Sequence, residues 1–295
     1  MRSGLPICMW HAKRASNKSF LETGLKCAAA ALLLAAAMLP SAATAQGPRA
    51  ALAPPPSDAQ HYDQCLALTR SNPQRAYDDA TSWRNLGGGF PAQHCAAVAL
   101  VGLKQYPEAA TQLQGLANAM MQASPALRGD ALSQAGQAWL LAAKPNEAKA
   151  AFDAALAFKP NDPEIMIDRA EAFALGGKFF EAIDDLNRAL DANPNRVDAL
   201  VYRASAYRQL NSLDLASDDV ERALTLEPNA VAGLLERGNI RQLQGNTDGA
   251  RADWTQVQKL AAGSPPADAA KDNLAHLADS TPGAALLTTP AKKKP

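Results

Sequence analysis

Between Gly129 and Ser264 the apolar residues fall three or four apart, and the whole pattern returns every 34 residues. That inner spacing is helical, and a fixed outer period of this length marks a stacked array. Ala148, Ala182, Ala216 and Ala250 share one column. Gly136, Ala170, Ala204 and Gly238 share a second, and Ala155, Ala189, Ala223 and Val257 a third. Large residues recur between them: Leu132, Met166, Leu200 and Leu234; then Trp139, Phe173 and Tyr207; then Phe152, Leu186, Val220 and Trp254. The pattern predicts two amphipathic helices per period, with the small columns where the pair approaches closely.

Turn chemistry agrees with this division. Gly177, Asn211 and Gly245 stand between the two helices of a unit, where a positive φ costs Gly nothing and Asn little. Asp162-Pro163-Glu164 reads as N-cap, first-turn proline and first-turn acid. Pro160, Pro194 and Pro228 close the first three units.

With eight columns in register, the pattern resembles the tetratricopeptide repeat family. Residues 129–162, 163–196, 197–230 and 231–264 match four units, the middle two best. The last departs, with Arg241 at the aromatic position and Ala262 at the closing proline. The resemblance implies an all-α fold: a right-handed α-solenoid of stacked antiparallel helix hairpins. It also implies a concave groove lined by the first helix of each unit. Groove positions carried over from the family are Asp130, Gln134 and Gln137; Glu164, Asp168 and Glu171; Asp198, Tyr202, Ser205 and Arg208; and Glu236, Asn239 and Gln242. The lysines with which the family clamps a C-terminal carboxylate are absent here, and the second unit is acidic. A basic or polar extended peptide, or a helix, therefore suits this groove better. The plainer reading of the same acids is a solvated face.

Arg169, Arg203 and Arg237 form a further column, and Asp185, Asp219 and Asp253 another, sixteen residues later. In the first unit both positions turn to alanine together, as Ala135 and Ala151. Columns that change together predict ion pairs between first and second helix, within a unit or across to its neighbour. Arginine suits a half-buried pair because its planar fork can bond one carboxylate twice.

Residues 1–45 read as an export signal. Lys13, Arg14, Lys18 and Lys26 precede an apolar run from Cys27 to Leu39, and Ala43-Thr44-Ala45 offers a cleavage site. An uncleaved anchor is the alternative reading, and Met9 an alternative start. Residues 46–57 form an Ala/Pro-rich linker. Two degenerate hairpins follow over 58–128, out of phase with the four units and serving as an N-terminal cap or subdomain. Pro265 opens a capping helix over 265–278, which an open array needs to cover its last apolar face. Residues 279–295, ending in three lysines, read as a disordered tail.

Export leaves two cysteines, Cys65 and Cys95, an even number in an oxidising compartment. A disulfide is the leading reading. Zinc is the rival, because His61 and His94 stand nearby, although His94 and Cys95 would point about 100° apart on a helix. Free buried thiols are the third.

The whole chain is charge-neutral, with 29 basic and 29 acidic residues. The first 45 residues hold five of the bases and one acid, leaving 24 and 28, a net −4. That argues against nucleic acid. Gly87-Gly88-Gly89 is a turn, since no Gly-Lys-Ser/Thr follows it. No catalytic motif stands out, and the reading implies no enzyme, no cofactor, no metal and no small-molecule substrate. The sequence therefore predicts a periplasmic or secreted scaffold that binds a protein or peptide through its groove, in envelope assembly, division or secretion. It predicts no membrane contact once the signal is removed. The alternative is a structural module that dimerises through its N-terminal hairpins.

Overall fold

The computed structural model describes residues 57–279. The expected signal, nearly all of the linker, and the tail from residue 280 lie outside the described residues. Among the described residues every regular element is an α-helix. They are α1 Asp58–Ser71, α2 Pro73–Asn85, α3 Gly89–Gly102, α4 Tyr106–Ala119, α5 Pro125–Leu141, α6 Pro145–Phe158, α7 Pro163–Leu175, α8 Phe179–Ala192, α9 Val197–Gln209, α10 Leu213–Leu226, α11 Val231–Leu243, α12 Thr247–Leu260 and α13 Pro265–Asp279. Each helix packs on the next. The odd-numbered helices also touch one another, α5 on α7, α9 on α11 and α11 on α13, so they form one face of an all-α solenoid.

One turn builds five of the six hairpins. Lys104, Ala143, Gly177, Asn211 and Gly245 each hold a positive φ, between 55° and 81°. The next amide bonds back to the carbonyl five residues earlier: Gln105 to Leu100, Lys144 to Trp139, Lys178 to Phe173, Ser212 to Tyr207 and Asn246 to Arg241, at 2.8–2.9 Å. This double-ended closure satisfies the orphan carbonyls of the odd-numbered helix. Lys104 and Ala143 take the strained backbone without glycine, and the sequence pattern did not single them out. Asp162 caps α7, its carboxylate accepting from the Glu164 and Ile165 amides at 3.0 and 3.3 Å, with Pro163 opening the helix.

The fourth residue of every even-numbered helix is a fully buried alanine: Ala76, Ala109, Ala148, Ala182, Ala216 and Ala250. The first two hairpins therefore share the packing plan of the rest. They fall out of phase in sequence because their connections differ in length. α5, likewise, opens at Pro125, one turn before the 34-residue phase begins.

Within a hairpin the small column faces the large one. A Cβ on Gly136 would stand 2.5 Å from the Phe152 ring, and one on Gly238 would stand 2.4 Å from Trp254 Nε1. Where the opposite residue is Leu186 or Val220, the small residue is alanine, Ala170 or Ala204, and all four are fully buried. Interiors packed this closely leave no slack for one methyl, so the two columns must trade volume.

Candidate interaction groove

The Arg and Asp columns form a ladder. Arg169 donates to both carboxylate oxygens of Asp185 at 2.7 Å, Arg203 to those of Asp219 at 2.7 Å, and Arg237 to those of Asp253 at 3.0 and 2.7 Å. The remaining guanidinium nitrogen reaches back to the preceding unit. There it meets Asp153 at 2.7 Å, Asn187 at 2.7 Å and Glu221 at 3.0 Å respectively. Each arginine thus joins its own hairpin to the one before. Bonding to the buried Asp185 first, and then to Asp153, holds the Arg169 pKa above its ordinary value. The third partners form a column 34 residues apart, but they differ in chemical type. An eye looking for like residues passes over them.

The odd-numbered helices carry a second set of links. Tyr62 on α1 meets His94 on α3 at 2.7 Å, and His94 meets Gln134 on α5 at 2.7 Å. Gln137 donates to Asp168 on α7 at 2.7 Å. Arg196, at the N-cap of α9, grips Glu164 on α7 and its own neighbour Asp198. Arg208 on α9 donates to Glu236 on α11 at 2.5 Å, and Asn273 on α13 donates to Asn239 on α11 at 2.9 Å. One polar contact therefore spans every successive pair of odd-numbered helices from α1 to α13.

This network decides what the groove candidates can do. Glu236 is wholly buried under Arg208, and Glu171 and Ser205 are 2% exposed. Tyr202 is buried as well. Arg208 also reaches Ser205 Oγ, at 3.5 Å. Asn239 accepts from Trp254 Nε1 at 3.3 Å besides Asn273. Asp168 and Asp198 are half-buried and bonded, whereas Glu164, also bonded by Arg196, keeps 68% of its side chain exposed. The floor is thus a preformed polar surface whose buried acids are already engaged.

At the N-terminal end Cys65 and Cys95 form a disulfide between α1 and α3, with Cα atoms 6.2 Å apart. The histidines beside them have other partners: His61 meets Asp79 at 2.9 Å and stacks on Trp83, while His94 sits between Tyr62 and Gln134. Burial pushes the His94 pKa down, against the opposing pull of its bond to Gln134. Burial first, then Asp63, pushes the Tyr62 hydroxyl up to about 12. A neutral ring accepting from Tyr62 O–H at Nδ1 and donating from Nε2 to Gln134 fits both shifts. Among the described residues no group of three or more His, Cys, Asp or Glu could hold a metal, and no helix is long and apolar enough to cross a membrane.

Comparison with known proteins bears on the same geometry. Residues 197–230, which hold α9 and α10, match the family model for a tetratricopeptide repeat. That hairpin is a tetratricopeptide repeat unit, and the solenoid around it has the fold of tetratricopeptide repeat proteins. A tetratricopeptide repeat protein from Parabacteroides merdae superposes with a TM-score of 0.59 at 17% identity, over 75% of this chain and 84% of that one. TTC0263, a tetratricopeptide repeat protein from Thermus thermophilus, superposes with a TM-score of 0.52 at 19% identity, over 64% of this chain and 98% of that one. A shorter match, at 28% identity with a TM-score of 0.39, covers 41% of this chain and 95% of the first repeat domain of Spaghetti (RPAP3), bound there to the HSP90 peptide SRMEEVD. No curated protein matches the chain. The tetratricopeptide fold is one of protein-binding scaffolds, generally without catalysis.

Proposed function

We propose that this chain is a non-enzymatic scaffold of the cell envelope, binding a protein or peptide partner along the face formed by α3, α5, α7, α9 and α11. The carrying observation is the continuous set of polar links across that face, from Tyr62–His94 to Asn239–Asn273. It holds neighbouring hairpins at one spacing before any partner arrives, and preorganisation lowers the cost of binding an extended ligand. With Glu171 and Glu236 buried, the partner meets the exposed rim around Glu164 and Gln242. An exported location is supported by the signal-like first 45 residues together with the Cys65–Cys95 bond. Both ends of the array turn polar residues outward: Asp58, Gln60, Asp63 and Gln64 on α1, and Asp268, Lys271 and Asp272 on α13. That favours a monomer over end-to-end association.

Photo-crosslinking in the cell tests this. A probe at Glu164 and at Gln242 is expected to trap one recurrent partner, while a probe at Phe180, exposed on the even-numbered face, traps none. Adducts from Phe180 alone, or self-adducts alone, would overturn the groove reading.

A further inference from the structure

α1 is held to the array unlike any other helix. Its only buried residues are Cys65 and Thr69, and the Thr69 hydroxyl turns back to its own helix, donating to Leu66 O at 2.7 Å. Besides the disulfide, α1 is held by the Tyr62–His94 and His61–Asp79 contacts, by the stack of His61 on Trp83, and by half-buried Tyr62 and Leu66 packed on the small cluster of Ala80, Cys95 and Ala96. Beneath it lies α3, in which every residue from Cys95 to Leu100 is buried. The connection from α1 to α2 is the single residue Asn72, whose side chain caps α2 by accepting from the Arg75 amide at 3.1 Å. α2 therefore keeps its start wherever α1 stands.

We propose that α1 is a disulfide-latched lid. With the bond intact it closes the N-terminal end of the array. When a dithiol reductant cleaves the bond, α1 swings out about Asn72 and uncovers α3 around His94 and Cys95. In that exchange a reductant thiolate attacks one sulfur to give a mixed disulfide, and its second thiol displaces it. Two electrons pass to the chain, which ends with two thiols, while the reductant ends as its own disulfide. Neither cysteine has any accessible surface, so a local opening of the α1–α3 seam must bare one sulfur before the attack, while the bond still holds the two helices together; α1 is released only once the bond is broken. Uncovering α3 also removes Tyr62 from His94 and bares the first link of the concave face.

Hydrogen exchange resolved by segment tests this on the purified protein, oxidised and after dithiothreitol, and on a Cys65→Ser/Cys95→Ser variant. Amides of 58–71 are expected to lose protection by roughly 30-fold or more in both, the scale that loss of a native disulfide implies. Those of 163–260 should keep theirs, and N-ethylmaleimide should label Cys95 in the folded, reduced protein. Unchanged protection of 58–71 in both samples would overturn the latch, because α1 would then be held without the bond. Equal loss through 163–260 would overturn the lid, because the whole array would then answer to the bond.

Discussion

The hairpins up to Phe158 and those from Pro163 onward share one backbone plan and hold their neighbours by different means. From α7 onward each unit is joined to the last by an arginine that grips one aspartate in its own hairpin and reaches a polar group in the hairpin before. In the earlier region the equivalent positions are Ala135 and Ala151, which lie buried in a cluster with Ala97 and Leu113. There the specific ties include a disulfide, a neutral histidine and the contacts of His61 with Asp79 and Trp83. Covalent and apolar contacts ignore salt, whereas partly exposed ion pairs weaken with it. One fold therefore carries two kinds of joint, one answering to redox state and to mild acid, the other to ionic strength and only to stronger acid.

Four tests would break or sharpen that contrast. The largest effect is expected from Asp219→Ala. It strips Arg203 of its bidentate partner and leaves Asn187 as its remaining hydrogen bond; removing one member of a fully buried pair costs about 3–5 kcal/mol, and the partial exposure of Arg203 puts this loss at or below the lower end of that range. Asp185→Ala should cost less, because Arg169 keeps Asp153. Chemical denaturation of both variants checks the order, and equal losses would show that the reach to the preceding unit contributes nothing.

Gly238→Ala comes next. Its methyl would meet the Trp254 ring, an overpacking cost of about 1–3 kcal/mol. Gly136→Ala should behave alike against Phe152 and be rescued by Phe152→Leu, which recreates the Ala170–Leu186 combination. A double variant no more stable than Gly136→Ala alone would show that the columns do not trade volume.

Acid should separate the two regions. His94 is held neutral in the fold by burial, so the unfolded chain binds the extra proton. Its stabilisation is complete above the ordinary value of 6.5 and declines as pH falls below it, by up to about 1.4 kcal/mol per pH unit. Burial pushes the Asp153 carboxyl up, but hydrogen bonds from Lys149 and Arg169 outweigh it and hold it below 3.8. The Asp153 contribution is therefore present above 3.8 and lost as pH falls through the lower folded value. Exchange protection should drop in 58–141 below about pH 6.5 and persist in 163–260 to below pH 3.8, and His94→Gln should remove the first decline. Simultaneous loss in both regions would defeat the distinction.

The smallest effect lies in the turns. Ala143→Gly relieves a positive φ of 55° and should stabilise by up to about 1 kcal/mol, while Gly177→Ala, at φ 74°, should cost a similar amount. Thermal melts of the pair check the opposite signs.

Much of the fold was legible because stacking repeats the same contacts at one interval. The Arg169, Arg203 and Arg237 column could be seen beside its aspartates because both ends repeat in kind. Asp153, Asn187 and Glu221 could not, since only geometry makes them equivalent. The groove was harder still. Family positions name the side chains on the odd-numbered helices, but Glu236 is lost to a partner because Arg208 reaches it from the preceding odd-numbered helix.

The sequence by itself determined the period, the hairpins, the capping of α7 and the pairing of volumes between the small and large columns. These are local or strictly repeated, and a 34-residue interval preserves them. Only the tertiary structure decided which acids are buried beneath a neighbour and that Lys104 and Ala143 would accept a left-handed turn. Each of those depends on contacts between helices, where burial and hydrogen bonding outweigh the preference of any single residue.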